Sequence, residues 1–223
     1  MLKPPRLYTH ISLAVFVAGG LLATRLYLPL ASWNYIIMLA TGYVALLLIG
    51  FTLAYGTLNL FNRRRNPVNL NVRRDAGIWA GVTGIVHVVL GFGVYSGPAI
   101  LPYYVRWTDA GGIRPLTSLF GFNNYVGTLA SVILVLLLLT SNNLSLIWLK
   151  GKRWKAIQRW NYALAVLAFA HTFGYQQISH RAPVFLWGTL ALLLVTLVAQ
   201  GVGYNLMRHR RRVANPRQLQ RQM

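Results

Sequence analysis

Two histidines, His87 and His171, stand inside segments otherwise built of the residues that suit lipid; the second lies in "FAHTFGYQ", residues 169–176. An ionisable side chain at mid-membrane depth is expensive and marks a functional site. His87 follows Arg74 by 13 residues and His171 follows Arg159 by 12. At about 1.5 Å per helical residue, both lie roughly 18–20 Å from the same boundary and can face each other at one level. Their neighbours one turn away are small. Gly84 and Gly91 flank His87, Ala168 and Gly174 flank His171, and Gly77 and Gly81 extend the stripe on the His87 helix. A flat iron porphyrin accounts for this pattern, because it needs two axial nitrogens about 4 Å apart and cleared walls on either side of the ring. Hydrogen-bonded core histidines at small-residue helix contacts, and a proton relay, stand as alternatives. His87 and His171 are the candidate metal ligands. Gly84, Gly91, Ala168 and Gly174 complete the candidate cofactor-binding set, and no catalytic residue is singled out.

The remaining titratable residues exclude much other chemistry. There is no cysteine, so disulfides, thiol catalysis, iron–sulfur clusters and zinc–thiolate sites are ruled out. The only acids are Asp75 and Asp109, which excludes carboxylate-pair hydrolysis and acid-rich metal cages. Asp75 is read as a helix N-cap beside Arg73 and Arg74, and Asp109 as an outer-loop residue. His209 belongs to a basic tail and His180 to a short turn, while His10 opens the first apolar run with a minor claim to a cofactor edge.

The elements that must position His87 and His171 are membrane helices. Hydrophobic residues make up 56% of the 223, charged residues 11%, and mean hydropathy is +0.48. These values describe an all-α integral membrane protein, read as one domain over residues 1–223. Six apolar runs are long enough to span: Tyr8–Leu30, Asn34–Phe61, Ala76–Gly97, Asn123–Ser141, Trp160–Gln177 and Pro183–Met207. The first continues past Ala18, Gly19 and Gly20, the only small-residue cleavage candidate, and is read as a retained helix. All but four of the 22 basic residues fall on one side of this six-span arrangement, the exceptions being Arg25, Arg106, Arg114 and Arg181. Short Lys- and Arg-rich loops stay cytoplasmic, so both termini, including the basic tail 208–223, are expected there.

The net charge of +20 flanks lipid spans and has no groove-reading scaffold behind it, which argues against nucleic acid and for anionic headgroups or an acidic protein partner. "LIWLKGKRWKAIQRW" mixes Trp148, Trp154 and Trp160 with cations, as expected of a helix at the headgroup boundary, or of a docking surface for a soluble electron donor. The long outer link, residues 98–122, carries Tyr103, Tyr104 and Trp107, which suit an interfacial belt or part of an acceptor site.

"RRDAGIWAGVTGIVH", Arg73 to His87, and "LTSNN" followed by "GKRWKAIQRWNYALAVLAFAH" resemble the ferric-reductase-like transmembrane domain. They are particularly similar to the haem-binding membrane subunit of the bacterial periplasmic methionine sulfoxide reductase system. The resemblance is specific over roughly residues 63–97 and 138–175 and rests on topology elsewhere. It implies a six-helix bundle passing electrons through haem b, with His87 and His171 as axial ligands, in a bacterial inner or thylakoid membrane. Relatives often carry a second histidine about 13 residues before the one corresponding to His171, where this chain has Gln158.

Arg74 and Leu101 stand at the matching distances from His87, so one haem per chain is expected. No reductase domain fits in the chain, and "GFGVYSG" from Gly91 lacks the preceding strand of a dinucleotide fingerprint. Electrons would come from a soluble flavoprotein, a quinol, or a flavin at the basic face, and leave to an acceptor or protein partner at the outer side. The chain is thus expected to be a membrane oxidoreductase subunit. The alternative is a non-catalytic scaffold of a larger complex. A proton-coupled transporter would need membrane carboxylates or broken helices.

Overall fold

The computed structural model describes residues 4–61, 70–96, 99–109 and 111–214. Lys3, Arg63, Arg64, Arg65, Arg217 and Arg221, which enter the charge argument, lie outside them. Seven α-helices are present among the described residues: α1 (Pro4–Tyr27), α2 (Trp33–Phe61), α3 (Leu70–Ser96), α4 (Leu119–Leu139), α5 (Asn143–Gln158), α6 (Asn161–Ile178) and α7 (Pro183–Ala214). Five of them, α1, α2, α3, α4 and α7, are long and apolar enough to cross a membrane. α6, the fifth expected span, has 18 residues. It is not among those five, because Asn161, His171, Gln176 and Gln177 dilute its apolar content. Three of those four make specific contacts inside the bundle: Asn161 Nδ2–H donates to the Thr52 hydroxyl of α2 at 2.9 Å, and the contacts of His171 and Gln176 are described below.

α2 lies at the centre, with 72% of its spanning window buried, and packs against α1, α3, α6 and α7. The arrangement is two tight pairs, α2 with α3 and α4 with α6, joined along a looser seam between α3 and α4. Val44, Leu48 and Leu53 of α2 meet Ala80 of α3, Ile133 and Leu137 of α4, and Leu164 of α6 in one apolar core. Ala80 and Leu164 precede the histidines of their helices by about two turns, so this core fills the half of the bundle nearer α5. The other half holds a cavity.

Several expected boundaries move. α4 begins at Leu119 rather than Asn123, because the Ser118 side chain caps it by accepting from Gly121 N–H. Asp75 is no N-cap: α3 starts at Leu70, and the fully buried Asp75 carboxylate accepts from Arg6 Nη2 at 2.5 Å and Nε at 3.2 Å. His10 Nδ1 accepts from Trp79 Nε1–H at 3.0 Å and its Nε2 lies 3.7 Å from Asp75, so both polar groups fasten α1 to α3.

The link between α3 and α4 contains strands that an all-α reading omits. β1 (Val105–Trp107) and β2 (Ile113–Pro115) form a short antiparallel hairpin after a 3₁₀ turn at Leu101–Tyr103. Of the expected aromatic belt, Trp107 is exposed, but Tyr103 is 4% exposed and donates its hydroxyl to the Gly91 and Phe92 carbonyls, closing this end of the bundle. α5 buries no residue and kinks at Lys150, whose φ is 54°. Trp148 is exposed, while Trp154 Nε1–H donates to the Thr140 carbonyl and Gln158 Nε2–H to the Thr140 hydroxyl.

Candidate functional site

The cavity is about 480 Å³, a size that suits a cofactor or small ligand, and its walls come from α2, α3, α4 and α6. His87 projects from α3 and His171 from α6, both into this space, with ring centroids 6.3 Å apart and planes crossed at 87°. Each ring is turned by a main-chain carbonyl of the paired helix. His87 Nδ1 lies 2.8 Å from the Met38 carbonyl oxygen on α2, and His171 Nδ1 lies 3.0 Å from the Asn123 carbonyl oxygen on α4. A carbonyl can only accept, so Nδ1 carries the proton in both rings and Nε2 keeps its lone pair.

A helical carbonyl already serves the N–H four residues on, and a second donor must approach past that residue's side chain. In both places the residue is glycine. A Cβ on Gly42, four after Met38, would lie 2.6 Å from His87 Nδ1, and one on Gly127, four after Asn123, would lie 2.5 Å from His171 Nδ1. Neither glycine belongs to the sequence-derived site. Their signal was a helix-interior glycine, which costs about 1 kcal/mol relative to alanine and therefore calls for a reason.

The glycines that were singled out divide. Gly91 and Ala168 line the cavity, and nothing lies within 4 Å of a Cβ placed on Gly91. Gly84 also lines it, but its missing Cβ admits a Leu134 methyl, making it chiefly an α3–α4 contact. Gly174 does not line the cavity; its missing side chain makes room for Asn123, whose amide donates back to the His171 carbonyl at 3.0 Å. Gly81 is a contact point for Leu138 in the same way, so the stripe on α3 is not one open channel.

The polar groups of the lining gather toward the hairpin end. Tyr175 stands one turn beyond His171, with ring centroids 4.9 Å apart, and donates its hydroxyl to the Asn124 amide oxygen at 2.6 Å. The Tyr43 hydroxyl accepts from Gln176 Nε2–H at 2.5 Å and from Arg181 Nη1–H at 3.5 Å. Of the arginines expected on the outer side, Arg181 reaches the cavity, whereas Arg106 and Arg114 face each other across the exposed hairpin.

This donor set fits a haem iron. The porphyrin supplies four nitrogens, so the protein need bring only two imidazoles with free Nε2 atoms, each aimed by an outer hydrogen bond. Their ring centroids, 6.3 Å apart, leave a spacing at which both Nε2 atoms could hold one metal ion at about 2 Å. Structural zinc or calcium would require more protein ligands, and no group of three or more His, Cys, Asp or Glu occurs among the described residues. No family model, curated protein or solved structure matches the chain.

Proposed function

We propose that the chain is a haem b-binding transmembrane electron-transfer subunit, a six-span bundle with α6 as the sixth membrane helix and both termini cytoplasmic. One observation carries this reading: two imidazoles meet across an apolar cavity, and each is locked in the Nε2-free tautomer by a helix carbonyl exposed at a glycine. A relay or a plain core pair has no need for both lone pairs to be kept free. When bound, haem supplies one-electron reduction and reoxidation at a site insulated from water. His87 and His171 would hold the iron through Nε2, with Nδ1–H donation to Met38 and Asn123 raising ligand basicity and fixing ring orientation. Leu39, Leu46 and Val88 would exclude water from the faces, and Gly91 and Ala168 leave the ring its space.

The basic residues of α5, Lys152, Arg153 and Lys155, are exposed and supply a surface for anionic headgroups and for a soluble flavoprotein donor; a quinol would reach the haem from the bilayer instead. The acceptor lies on the hairpin side. Purified protein should show a low-spin haem b spectrum, with a pyridine haemochrome ratio of one haem per chain. A colourless chain after haem supplementation would favour the scaffold reading, for which the Gly81 and Gly84 contacts are sufficient. A ratio near two would bring Gln158, His10 or His180 back as part of a second site.

A further inference from the structure

A ligand between His87 and His171 needs a way in, and the cavity is shut along the helix axes. Toward α5 the apolar core fills the bundle. Toward the hairpin, Tyr103 is buried, with its ring 5.1 Å from that of Phe92 and 5.8 Å from that of Phe120, and its hydroxyl bonds the Gly91 and Phe92 carbonyls. The side is different. Among the described residues that line the cavity, those exposed are Thr128, Val132 and Val135, which share one edge of α4. Across the seam the lining continues with Val88, Gly91 and Phe92 of α3.

The packing of the seam explains the opening. Leu138 fills the gap at Gly81 and Leu134 the gap at Gly84, so α3 and α4 are zipped together on the α5 side. At Gly91 the zip has ended, and nothing lies within 4 Å of a Cβ placed there. Nearer the hairpin the seam is bridged again by Tyr104 and Thr128, whose hydroxyls lie 2.6 Å apart. Between Thr128 and Leu134 this leaves a slot about 9 Å long along the helix. Both helices are long and apolar enough to cross a membrane, so in a bilayer the slot meets acyl chains. Its direction also matches the site. His87 belongs to the α2–α3 pair and His171 to the α4–α6 pair, so a flat ligand with one imidazole on each face lies between the pairs, and the α3–α4 seam is the edge of that plane.

We propose that this slot is a lateral entrance through which haem passes edge-on from the lipid phase, sliding along its own plane until both Nε2 atoms reach the iron. The assignment rests on the haem reading above. Val132 and Val135 form the lip, and the Tyr104–Thr128 bridge is the strap that limits the opening on the hairpin side.

The test uses the full-length, haem-free protein in liposomes, with haem b supplied in the lipid. Soret absorbance gives the uptake rate, and transfer to excess apomyoglobin in the water gives the release rate. Val132 is 61% exposed, so a larger side chain there leaves the fold intact. Val132→Trp should slow uptake and release alike, each about tenfold, with their ratio and the low-spin spectrum unchanged, because an obstructed passage alters the barrier and not the bound state. Tyr104→Phe removes the strap and should speed both a few-fold. Wild-type rates in both variants overturn the proposal, as does a loss of affinity in Val132→Trp with uptake unchanged, which would make Val132 part of the binding surface. A second readout needs no haem. An apolar diazirine dissolved in the lipid, photolysed with glutathione in the water to consume reagent there, should mark Leu39, which is 2% exposed on the far wall, and bound haem should prevent the mark. Marking abolished by glutathione would show that the cavity is reached from water and overturn the entrance. Leu39 marked from the lipid in a wild type that takes up no haem would refute the haem reading and leave the entrance standing for another lipid-soluble ligand.

Discussion

The two histidine cradles are built alike and braced differently. On the α2–α3 side, His87 leans on the Met38 carbonyl through the gap left by Gly42. On the α4–α6 side, His171 leans on the Asn123 carbonyl through the gap left by Gly127, and the Asn123 amide also returns a bond to the His171 carbonyl. Beyond it, Tyr175 and Asn124 add a further bond between the same helices, and Asn124 donates to the Tyr103 carbonyl of the link. The α2–α3 pair has many more close backbone approaches than the α4–α6 pair, and its cradle lies against the central helix of the bundle. Apolar packing is sufficient to hold one histidine where it is dense, whereas the more peripheral pair uses side-chain hydrogen bonds to fix the other. The hook is common to both, and the bracing depends on the surrounding packing.

The largest effect should come from removing either of the two proposed ligands. His87→Ala and His171→Ala should each abolish low-spin haem in the purified protein while membrane insertion persists, since alanine is cheaper than imidazole at that depth. Wild-type spectra from both variants would place the ligands elsewhere. Next come the hooks. Gly42→Ala or Gly127→Ala puts a methyl 2.5–2.6 Å from an imidazole nitrogen, so the ring must leave its carbonyl. Haem affinity should fall about 10–100-fold, the usual loss when an outer-shell partner of a metal-binding histidine is removed. Soret titration measures it, and unchanged affinity in both variants would show that the carbonyl bonds do not matter.

Asn123→Ala separates the two sides, because it removes the amide brace and keeps the carbonyl hook. It should cost about 1 kcal/mol of thermal stability and lower haem affinity only a few-fold. A loss as large as that of Gly127→Ala would make the amide, rather than the carbonyl, the essential part. The smallest effect belongs to His180→Gly, which relieves a left-handed backbone and should raise stability by up to about 1 kcal/mol, as a thermal melt would show.

Much of this architecture was legible in the sequence because it depends on composition along one chain. The apolar runs located the long helices, but several ends lie beyond them: α3 starts at Leu70 rather than Ala76, α7 continues to Ala214 rather than Met207, and α4 starts at Leu119, which Ser118 sets through a capping bond. Equal offsets of His87 and His171 from basic boundaries placed them at one level, and the structure brings their rings together. Gly42 and Gly127 were not legible, because their role exists only once a neighbouring helix delivers an imidazole. Gly174 and Asp75 were assigned the wrong partners for the same reason: Asn123 is 51 residues from one and Arg6 is 69 from the other. Sequence spacing reports the face of a helix, while the choice of opposing residue is settled by packing.

The central claim is that His87 and His171 together ligate one iron with their rings held crossed. Low-temperature electron paramagnetic resonance of the oxidised protein tests it most directly, because the signal of a ferric bis-imidazole centre depends on the angle between the ring planes. With both rings pinned at Nδ1 and crossed at 87°, the spectrum should be a single highly anisotropic low-spin signal, absent from both His→Ala variants. A rhombic signal typical of parallel rings would contradict the hooked geometry, and a high-spin signal, or a low-spin one that survives either substitution, would contradict the ligand assignment itself.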